Sequence, residues 1–305
     1  MRSGLAGAAA AIGPLAVGLA LDKPVAGVIA AIGGLNAALC IPRTRPGGRI
    51  RWGSLAVLGG AGALALADAT LGSDTALVLV TLGWVGGWAL FRATGPAGAL
   101  LGFAVGAQLV IFAGLPGGSD SHRLLWFALG ALPGGVLMVV ARHGSTSDPA
   151  PRILDRALLL HAARLAVAVA GGTLLYRLAD LPHGYWVPLT TLAVLQPGVR
   201  ATRIRSVQRT AGTLVAGAVV VAVTFATDAR WPLTACSGLS AFFLYAIRER
   251  GYFWLVVLLT PTVLFMLGAV DFQGSTVAFD RVSDSMIGIL IGLAFAELAG
   301  LLARN

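Results

Sequence analysis

The chain has 305 residues, of which 57% are hydrophobic and only 11% are charged, and its formal net charge is +9. Soluble domains carry about 25% charged residues, so this composition excludes an ordinary water-soluble enzyme or binding domain. The basic residues, nearly all arginine, are interleaved with apolar runs and form no separate basic segment. A nucleic-acid-binding module is therefore excluded as well, and we expect an integral membrane protein.

Twelve apolar runs follow one another along the chain. Runs of roughly 17–25 residues are long enough to cross a bilayer, and they must be helical because backbone groups in lipid have to be satisfied internally. The first run follows Met1-Arg2 and is interpreted as an uncleaved helix rather than a signal peptide. The predicted fold class is an all-α integral membrane protein with about twelve transmembrane helices. The predicted spans cover residues 4–21, 24–41, 53–71, 75–91, 95–115, 122–141, 157–178, 182–197, 207–227, 231–247, 251–270 and 285–303.

A polar stretch at 143–156 divides the spans into two groups of six and is predicted to be a short cytoplasmic linker. Residues 1–142 form the first six-helix membrane half, and residues 157–305 form the second. Six spans is an even number, so the two halves share one orientation in the membrane. We therefore predict two parallel six-helix repeats, a common plan among transporters.

Two sequence patterns bear on how the helices are arranged. Matches at an offset of 158 residues support the repeat and pair Asp22 with Asp180, Pro24 with Pro182, and Arg51 with Arg209. Gly-x-x-x-Gly pairs are interpreted as sites of close helix packing. They occur at 83–87, 98–102, 102–106, 130–134 and 288–292.

The distribution of basic residues orients the chain in the membrane. Sixteen of the 22 Lys and Arg residues lie in or beside loops on one side of the predicted spans, and one, Arg164, lies within a span. Arginines in short loops are retained in the cytoplasm, so both termini and the linker are predicted to be cytoplasmic. The prevalence of arginine and glycine is typical of GC-rich bacterial genes, so the predicted location is the bacterial cytoplasmic membrane. The opposite side holds only Lys23, Arg123, Arg177, Arg230 and Arg281.

Motifs of catalysis and cofactor binding are missing from the sequence. It contains no His-Glu-x-x-His, no phosphate-binding Gly-Lys-Ser/Thr loop and no Gly-x-Ser-x-Gly elbow. Its four histidines are scattered, and its two cysteines, Cys40 and Cys236, can form neither a disulfide framework nor a metal site. We therefore expect no enzyme, no cofactor and no metal centre.

The eighth span offers the first candidate site. It is short, contains Pro188 and stops at Pro197-Gly198, and interrupted spans of this kind point to binding sites in transporters. Trp186, Thr190 and Pro197 are spaced so that they share one helical face. Two alternatives stay open: Trp186 belongs to an aromatic belt at the membrane surface, and Thr190, like Thr260 in the eleventh span, bonds a backbone carbonyl of its own helix.

Residues 202–213 provide a second candidate site. If this segment is helical, it places four polar side chains on one face, namely Thr202, Arg205, Arg209 and Thr213. Guanidinium groups and hydroxyls suit a carboxylate or another oxyanion. The competing interpretation is that the arginines are anchors that contact lipid phosphates. Arg209 is the strongest exception, because it lies just inside the ninth span.

Carboxylates in the last span form a third candidate site. A carboxylate within a span is costly and is usually paired or functional. Asp284 follows Arg281 by about one helical turn, so the two are predicted to form an ion pair, with a proton-coupling role as the alternative. For Glu297 three interpretations stay open: it snorkels to the membrane surface, it pairs with Arg164, or it carries a proton.

Several motifs occur together in residues 157–303. They are His161-x-x-Arg164, Tyr185-Trp186-x-x-x-Thr190, Leu195-Gln196-Pro197, Thr202-x-x-Arg205-x-x-x-Arg209-x-x-Gly212-Thr213, Arg248-x-Arg250, Thr260-Pro261 and Arg281-x-x-Asp284-x-x-x-Gly288-x-x-x-Gly292. The combination resembles the fusaric acid resistance family of inner-membrane exporters and its relatives, the aromatic-acid exporters and the plant malate-type anion channels. The first half keeps the helix plan but lacks the Tyr-Trp and Gln-Pro pairs. The large soluble domain of longer relatives is also missing, so partner-dependent efflux is not carried over.

The resemblance implies a transporter that exports small organic anions, with aromatic carboxylates as one class of cargo. Two alternatives stay open: a passive anion channel, and a non-transporting membrane scaffold or envelope-assembly factor. The expected partners are membrane lipids and the anion. A second copy of the chain is also expected, because relatives of similar plan make dimers. The alternative is that the two six-helix halves of one chain already form the equivalent of a dimer. The predicted substrate-binding residues are Trp186, Thr190, Gln196, Thr202, Arg205, Arg209, Thr213 and Thr260. The predicted proton-carrying or ion-pair residues are Arg281, Asp284 and Glu297.

Overall fold

The structure of the chain is a computed structural model. It describes residues 1–115, 122–142, 154–181, 183–270 and 276–302, and for residues 248, 276–280 and 302 it describes the backbone only. Most of the predicted linker at 143–156, and Pro182 of the predicted repeat, lie outside the described residues. Within the described ranges all regular secondary structure is helical.

The described residues form twelve α-helices joined by short connections. Two 3₁₀ segments, Leu90–Thr94 and Arg248–Arg250, come directly before α5 and α11. The helices are α1 (Arg2–Ala20), α2 (Pro24–Cys40), α3 (Pro46–Ala69), α4 (Asp74–Ala89), α5 (Pro96–Gly114), α6 (Arg123–Ala141), α7 (Arg156–Leu178), α8 (Trp186–Val194), α9 (Val199–Ala226), α10 (Arg230–Ile247), α11 (Tyr252–Gly268) and α12 (Thr276–Leu302).

Eight of the described helices are long and apolar enough to cross a membrane: α1, α3, α4 with the 3₁₀ segment after it, α5, α6, α7, α9 and α12. α2 and α11 are also apolar but have only 17 residues each. The chain is therefore a multi-pass membrane protein whose described part is all-helical, and twelve transmembrane helices stay a prediction. The predicted span at 182–197 is helical only over Trp186–Val194. That length, about 14 Å, is less than half of the roughly 30 Å hydrocarbon core.

Two helices begin earlier than hydropathy predicted. α9 starts at Val199 rather than 207, and α12 starts at Thr276 rather than 285. Both additional segments carry polar and charged side chains, which an apolar window excludes, although such residues are ordinary helix formers. Residues 202–213 are therefore helical throughout, which is the condition that the second candidate site required.

The chain folds into two compact units that interleave along the sequence. Unit 1 comprises Met1–Ala61, Asp120–Asp148 and Ala211–Phe279, and unit 2 comprises Gly62–Ser119, Pro149–Thr210 and Asp280–Asn305. Unit 1 contains α1, α2, α6, α10 and α11, and unit 2 contains α4, α5, α7, α8 and all of α12 from Asp280 onwards, while α3 and α9 are divided between them. Each unit combines helices from both sequence halves. The halves at 1–142 and 157–305 are thus not the compact units, and they stay a prediction about the repeat.

In unit 1, α2 is buried along most of its length and packs against α1 and α6. A Cβ on Gly130 of α6 would collide with the carbonyl oxygen of Ala30 in α2. A Cβ on Gly134 would lie 2.7 Å from the Cα of Gly34. The Gly-x-x-x-Gly pair at 130–134 therefore brings two helix backbones into close contact, as predicted.

In unit 2, the glycines of α12 pack on α8 in the same manner. A Cβ on Gly288 would lie 2.5 Å from the carbonyl oxygen of Val187, and one on Gly292 would lie 2.7 Å from Cγ2 of Val194. The pair at 83–87 differs, because a Cβ on either glycine meets no atom within 4 Å among the described residues. The prediction of close packing is therefore wrong for 83–87 within the described chain.

The turns after α1 and α7 have the same backbone conformation, 158 residues apart. Asp22 has φ 54° and Asp180 has φ 46°, and aspartate is one of the few residue types that tolerates this left-handed region. The amide of Lys23 donates to the Gly18 carbonyl at 2.8 Å, while the amide of Leu181 donates to the Tyr176 carbonyl at 3.1 Å. Each turn therefore ends its helix with the same pattern of carbonyl capping.

Candidate functional site

The interruption after α8 is held by the side chain of Thr202. All nine residues of α8 are buried, and the helix ends because Leu195 is extended and Pro197 disfavours a helical conformation at Gln196. The Thr202 hydroxyl accepts a hydrogen bond from the Gln196 amide at 3.0 Å and donates to the Gly198 carbonyl at 3.1 Å. This fully buried hydroxyl therefore stabilises the α8–α9 turn, whereas the predicted role of Thr202 was to bind an anion.

Two arginines converge on the same turn. Nη2 of Arg92 donates to Oε1 of Gln196 at 2.9 Å. Nη2 of Arg164 donates to the carbonyls of Gln196 and Pro197 at 2.9 and 3.0 Å. Nη2 of Arg164 also lies 3.2 Å from Nδ1 of the buried His161. The predicted site residue Gln196 is thus in contact with cations that the prediction did not include.

α9 presents a polar stripe on its buried face. Thr202, Ser206, Arg209 and Thr213 are 0%, 5%, 4% and 3% exposed, and their spacing of four, three and four residues keeps them on one side of the helix. Arg205 lies beside this stripe and is half-buried. Ser206 was absent from the prediction, although its position four residues after Thr202 was a usable signal.

The buried polar atoms of this stripe are short of hydrogen-bond partners. Among the described residues, Nε of Arg209, Oγ of Ser206 and Oγ1 of Thr213 have none. Buried polar groups are nearly always hydrogen-bonded, so the two such atoms of unit 2, on Ser206 and Arg209, indicate a place for a ligand or water on this part of the helix. Thr213 belongs to the part of α9 that is assigned to unit 1, and the other two belong to unit 2.

Trp186, at the start of α8, lies under the guanidinium of Arg281. Cζ of Arg281 is 3.7 Å from the centre of the Trp186 ring, and both residues are 3% exposed. Tyr185 packs against the same indole, with ring centres 4.8 Å apart. Residues of an aromatic belt face the lipid headgroups, so a side chain buried to this extent does not fit the belt interpretation. The indole Nε1 is also buried and has no hydrogen-bond partner among the described residues.

Asp284 and Ser285 of α12 are buried as well, at 4% and 3% exposure. Both Arg281 and Asp284 act electrostatically on the phenol of Tyr185. Their predicted ion pair with each other stays a prediction. Arg281 is in contact with the indole ring of Trp186.

Adjacent threonines of α8 have different contacts. Oγ1 of Thr190 lies 3.5 Å from Oγ of Ser285. Thr191 contacts the carbonyls of Val187 and Gly288 at 3.0 and 3.1 Å. The alternative for Thr190 was a hydrogen bond to the backbone of its own helix. The structure shows that bond at Thr191 instead, and Thr191 also bonds the backbone of α12. Thr191 and Ser285 were not predicted, and their only signal was adjacency to predicted residues.

Two predicted residues lie apart from this group. Glu297 forms an ion pair with Arg203, with Oε1 2.5 Å from Nη2, and both side chains are substantially exposed at 44% and 66%. Of the interpretations left open for Glu297, pairing with Arg164 is therefore wrong, since Arg203 is the partner. Thr260 is buried in α11 of unit 1, whereas most predicted site residues lie in unit 2. Its role stays a prediction.

These observations define a class: a multi-pass helical membrane protein with buried cations, hydroxyls and an indole around a broken helix. Within the chain, residues 167–295 match the family model described as fusaric acid resistance protein-like. That segment contains every predicted site residue except Glu297. The resemblance inferred from the motifs is therefore confirmed for the second half of the chain.

Curated relatives cover a similar share of the chain. It is 31% identical over 140 residues to inner membrane protein YccS of Escherichia coli (strain K12), a match covering 46% of this chain and 19% of that protein. It is 33% identical over 135 residues to protein YhfK of the same strain, covering 44% and 19%. It is 28% identical over 145 residues to protein ORF2 of Neisseria gonorrhoeae, covering 46% and 34%. The chain thus spans about a fifth to a third of the length of these relatives. No solved structure matches it.

Proposed function

We propose that the protein is a membrane transporter, rather than an enzyme, that moves small organic anions across the bacterial cytoplasmic membrane. The observation that carries this proposal is Arg209. It lies ten residues into α9, about 15 Å along a membrane-spanning helix, and is 4% exposed. An arginine inside a span is costly and marks a pathway more often than a structural role. Its Nε has no acceptor among the described residues, so an oxyanion is the ligand it suits.

The outer part of the proposed pathway consists of Trp186, Arg281, Thr190 and Ser285. These residues offer an indole N–H, a guanidinium and two hydroxyls, all of which donate hydrogen bonds to a carboxylate. Asp284 is the one carboxylate described in this group, and it is the proposed carrier of a coupling proton. Aromatic carboxylates are the narrower proposal for the cargo. That proposal rests on the resemblance to exporters of aromatic acids.

The finer topology is part of the same proposal: twelve membrane helices in two parallel six-helix repeats, with both termini cytoplasmic. Two repeated features support it. The left-handed aspartates of the α1–α2 and α7–α8 turns are 158 residues apart, at Asp22 and Asp180. The packing glycines Gly130 and Gly288 are separated by the same interval, and each lies against the second helix of its half. Corresponding helices are also exchanged between the two units, because α4 and α5 lie in unit 2 while α10 and α11 lie in unit 1.

Anion flux in proteoliposomes tests the proposal. We expect purified protein to take up radiolabelled benzoate, and we expect Arg209→Ala to lower the initial rate by roughly tenfold or more, the loss of one charge-assisted hydrogen bond. Arg203→Ala is the matched control, because Arg203 lies on the same helix but is exposed and paired with Glu297. It should leave the rate within about twofold.

Three outcomes separate the alternatives. Flux that responds to an imposed pH gradient supports a proton-coupled transporter. Flux that follows the membrane potential alone, with no dependence on the pH gradient, identifies a passive channel. Equal benzoate uptake by protein-containing and empty vesicles would contradict transport of this anion class and favour a membrane scaffold.

A further inference from the structure

The two arginines at the α8–α9 turn are not accounted for by the proposed pathway. Arg92 follows α4 in the first sequence half, and Arg164 lies in α7; both precede the segment that matches the family model. Their guanidinium groups meet at one residue, because Arg92 binds the side chain of Gln196 and Arg164 binds its backbone carbonyl. Both guanidinium groups also lie close enough to His161 to act on its imidazole.

The acceptors described for Arg164 at this turn are neutral. Arg164 donates to the carbonyls of Gln196 and Pro197, and no carboxylate partner is described for it. Its Nε is buried and unpartnered among the described residues. Two guanidinium groups that converge on amide oxygens repel each other, and a carboxylate placed between them would offset that repulsion with two charge-assisted hydrogen bonds.

We propose that Arg92 and Arg164 form a binding site for a small carboxylate. When no anion is bound, the side-chain amide of Gln196 occupies this site. The amide oxygen of Gln196 then marks where one carboxylate oxygen binds Arg92. This inference rests on the proposed function, for which the site is the point of anion entry beside the interrupted helix. It also gives the first half of the sequence a direct part in recognition, through Arg92.

A structural alternative exists for Arg164. Cations near the end of a helix bind its last carbonyls, and α8 ends at Val194, just before the carbonyls that Arg164 contacts. The two roles make opposite predictions for Gln196. If Gln196 competes with the anion, Gln196→Ala strengthens anion binding, whereas if the contact only holds the turn together, the substitution does not strengthen binding.

The test is calorimetric titration of the purified full chain in nanodiscs of neutral phosphatidylcholine, with benzoate and acetate as probes. We expect Arg92→Gln and Arg164→Gln each to weaken binding roughly tenfold, and Gln196→Ala to tighten it severalfold. Arg203→Gln removes one exposed arginine and should leave the affinity unchanged. If Arg164→Gln does not fold, Arg92→Gln still decides, because Arg92 contacts a side chain rather than the helix end.

Wild-type affinity in both arginine variants, or no binding of either probe to the wild-type chain, would overturn the proposal. A second set of nanodiscs containing anionic phosphatidylglycerol addresses lipid headgroups as the ligand. If that lipid abolishes benzoate binding to the wild-type chain, the site takes a lipid phosphate and the proposed small carboxylate is wrong. Binding without benzoate flux would instead contradict only the proposed function, so the two failures are distinguishable.

Discussion

Phe127 of α6 in unit 1 and Ser285 of α12 in unit 2 are 158 residues apart, at matching positions of the proposed repeat. In unit 1, the Phe127 ring lies against Gly33 of α2, within 3.1 Å of where a Cβ would be. In unit 2, the corresponding residues are Ser285 and Thr191, and Ser285 faces the hydroxyl of Thr190. An aromatic ring packs at this position in unit 1, while hydroxyl-bearing residues occupy the matching positions in unit 2.

In the proposed repeat, matching positions near the start of α6 and α12 are conserved at one residue and differ at another. Arg123 and Arg281 match at the same interval and are both 3% exposed, so the charged end of the helix is kept in each unit. The residue that follows three positions later is Trp126 in unit 1 and Asp284 in unit 2. In the proposed repeat, unit 1 therefore has apolar groups at positions where unit 2 has polar ones.

The largest expected effect tests the shared scaffold. Gly130→Val and Gly288→Val each place a side chain against a helix backbone, so we expect each to destabilise its unit by about 3 kcal/mol. Gly83→Val, at a glycine with open space around it, should change stability by about 0.5 kcal/mol or less. Unfolding of the purified chain in mixed detergent measures all three. A loss at only one of the two packing glycines would break the equivalence of the units.

The second expected effect compares the two cation–π contacts. Lys23 Nζ lies 5.9 Å from the Trp126 ring centre in unit 1, against 3.7 Å for Arg281 and Trp186 in unit 2. Double-mutant cycles should give a coupling energy of about 2 kcal/mol for the buried pair and about 0.5 kcal/mol for the other. The substitutions are Trp to Leu and the cation to Met, and unfolding is the measurement. Equal coupling energies would show that burial does not make the cation–π pair of unit 2 stronger than that of unit 1.

A third prediction transfers the packing of unit 1 into unit 2. The double variant Ser285→Phe with Thr191→Gly rebuilds the Phe127–Gly33 pair on the α12–α8 interface. We expect folded, monodisperse protein whose benzoate flux is lower by about tenfold, the equivalent of one lost charge-assisted hydrogen bond. Flux at the wild-type rate would mean that the hydroxyls of unit 2 do not line the pathway.

The smallest expected effect concerns exposed ion pairs. Unit 1 has Arg43 with Glu249, and unit 2 has Arg203 with Glu297; all four side chains are about half exposed or more. Exposed pairs contribute at most about 1 kcal/mol, so Glu249→Gln and Glu297→Gln should each change stability by less than that. Unfolding curves at low and high salt provide the check. A larger loss for Glu297→Gln alone would show that the Arg203–Glu297 pair stabilises the fold more than an exposed pair should.

Apolar runs located the described helices, although not all of their ends, and residue spacing predicted one face of the site. The spacing of Thr202, Arg209 and Thr213 predicted a shared face, and the short α8 followed from Pro197 and Gly198. The start of α9 at Val199 was missed because an apolar window stops at the first arginines.

Long-range partners had no local signal. Arg92 and Gln196 are 104 residues apart, and Arg203 and Glu297 are 94 apart. Apolar helices of similar composition carry almost no information about which neighbour they contact, since Ala, Leu and Val pack with nearly any partner. For the same reason the interleaved units could not be derived from the chain order.

The central claim is that an anion passes along the polar stripe of α9. Its most direct test places a cysteine at Ser206 in a chain whose Cys40 and Cys236 are replaced by alanine, and measures the rate of labelling by a water-soluble thiol reagent. Arg203→Cys, an exposed position on the same helix, is the matched control. We predict that benzoate slows labelling at position 206 severalfold and leaves position 203 unchanged. Equal labelling at 206 with and without benzoate would contradict the claim.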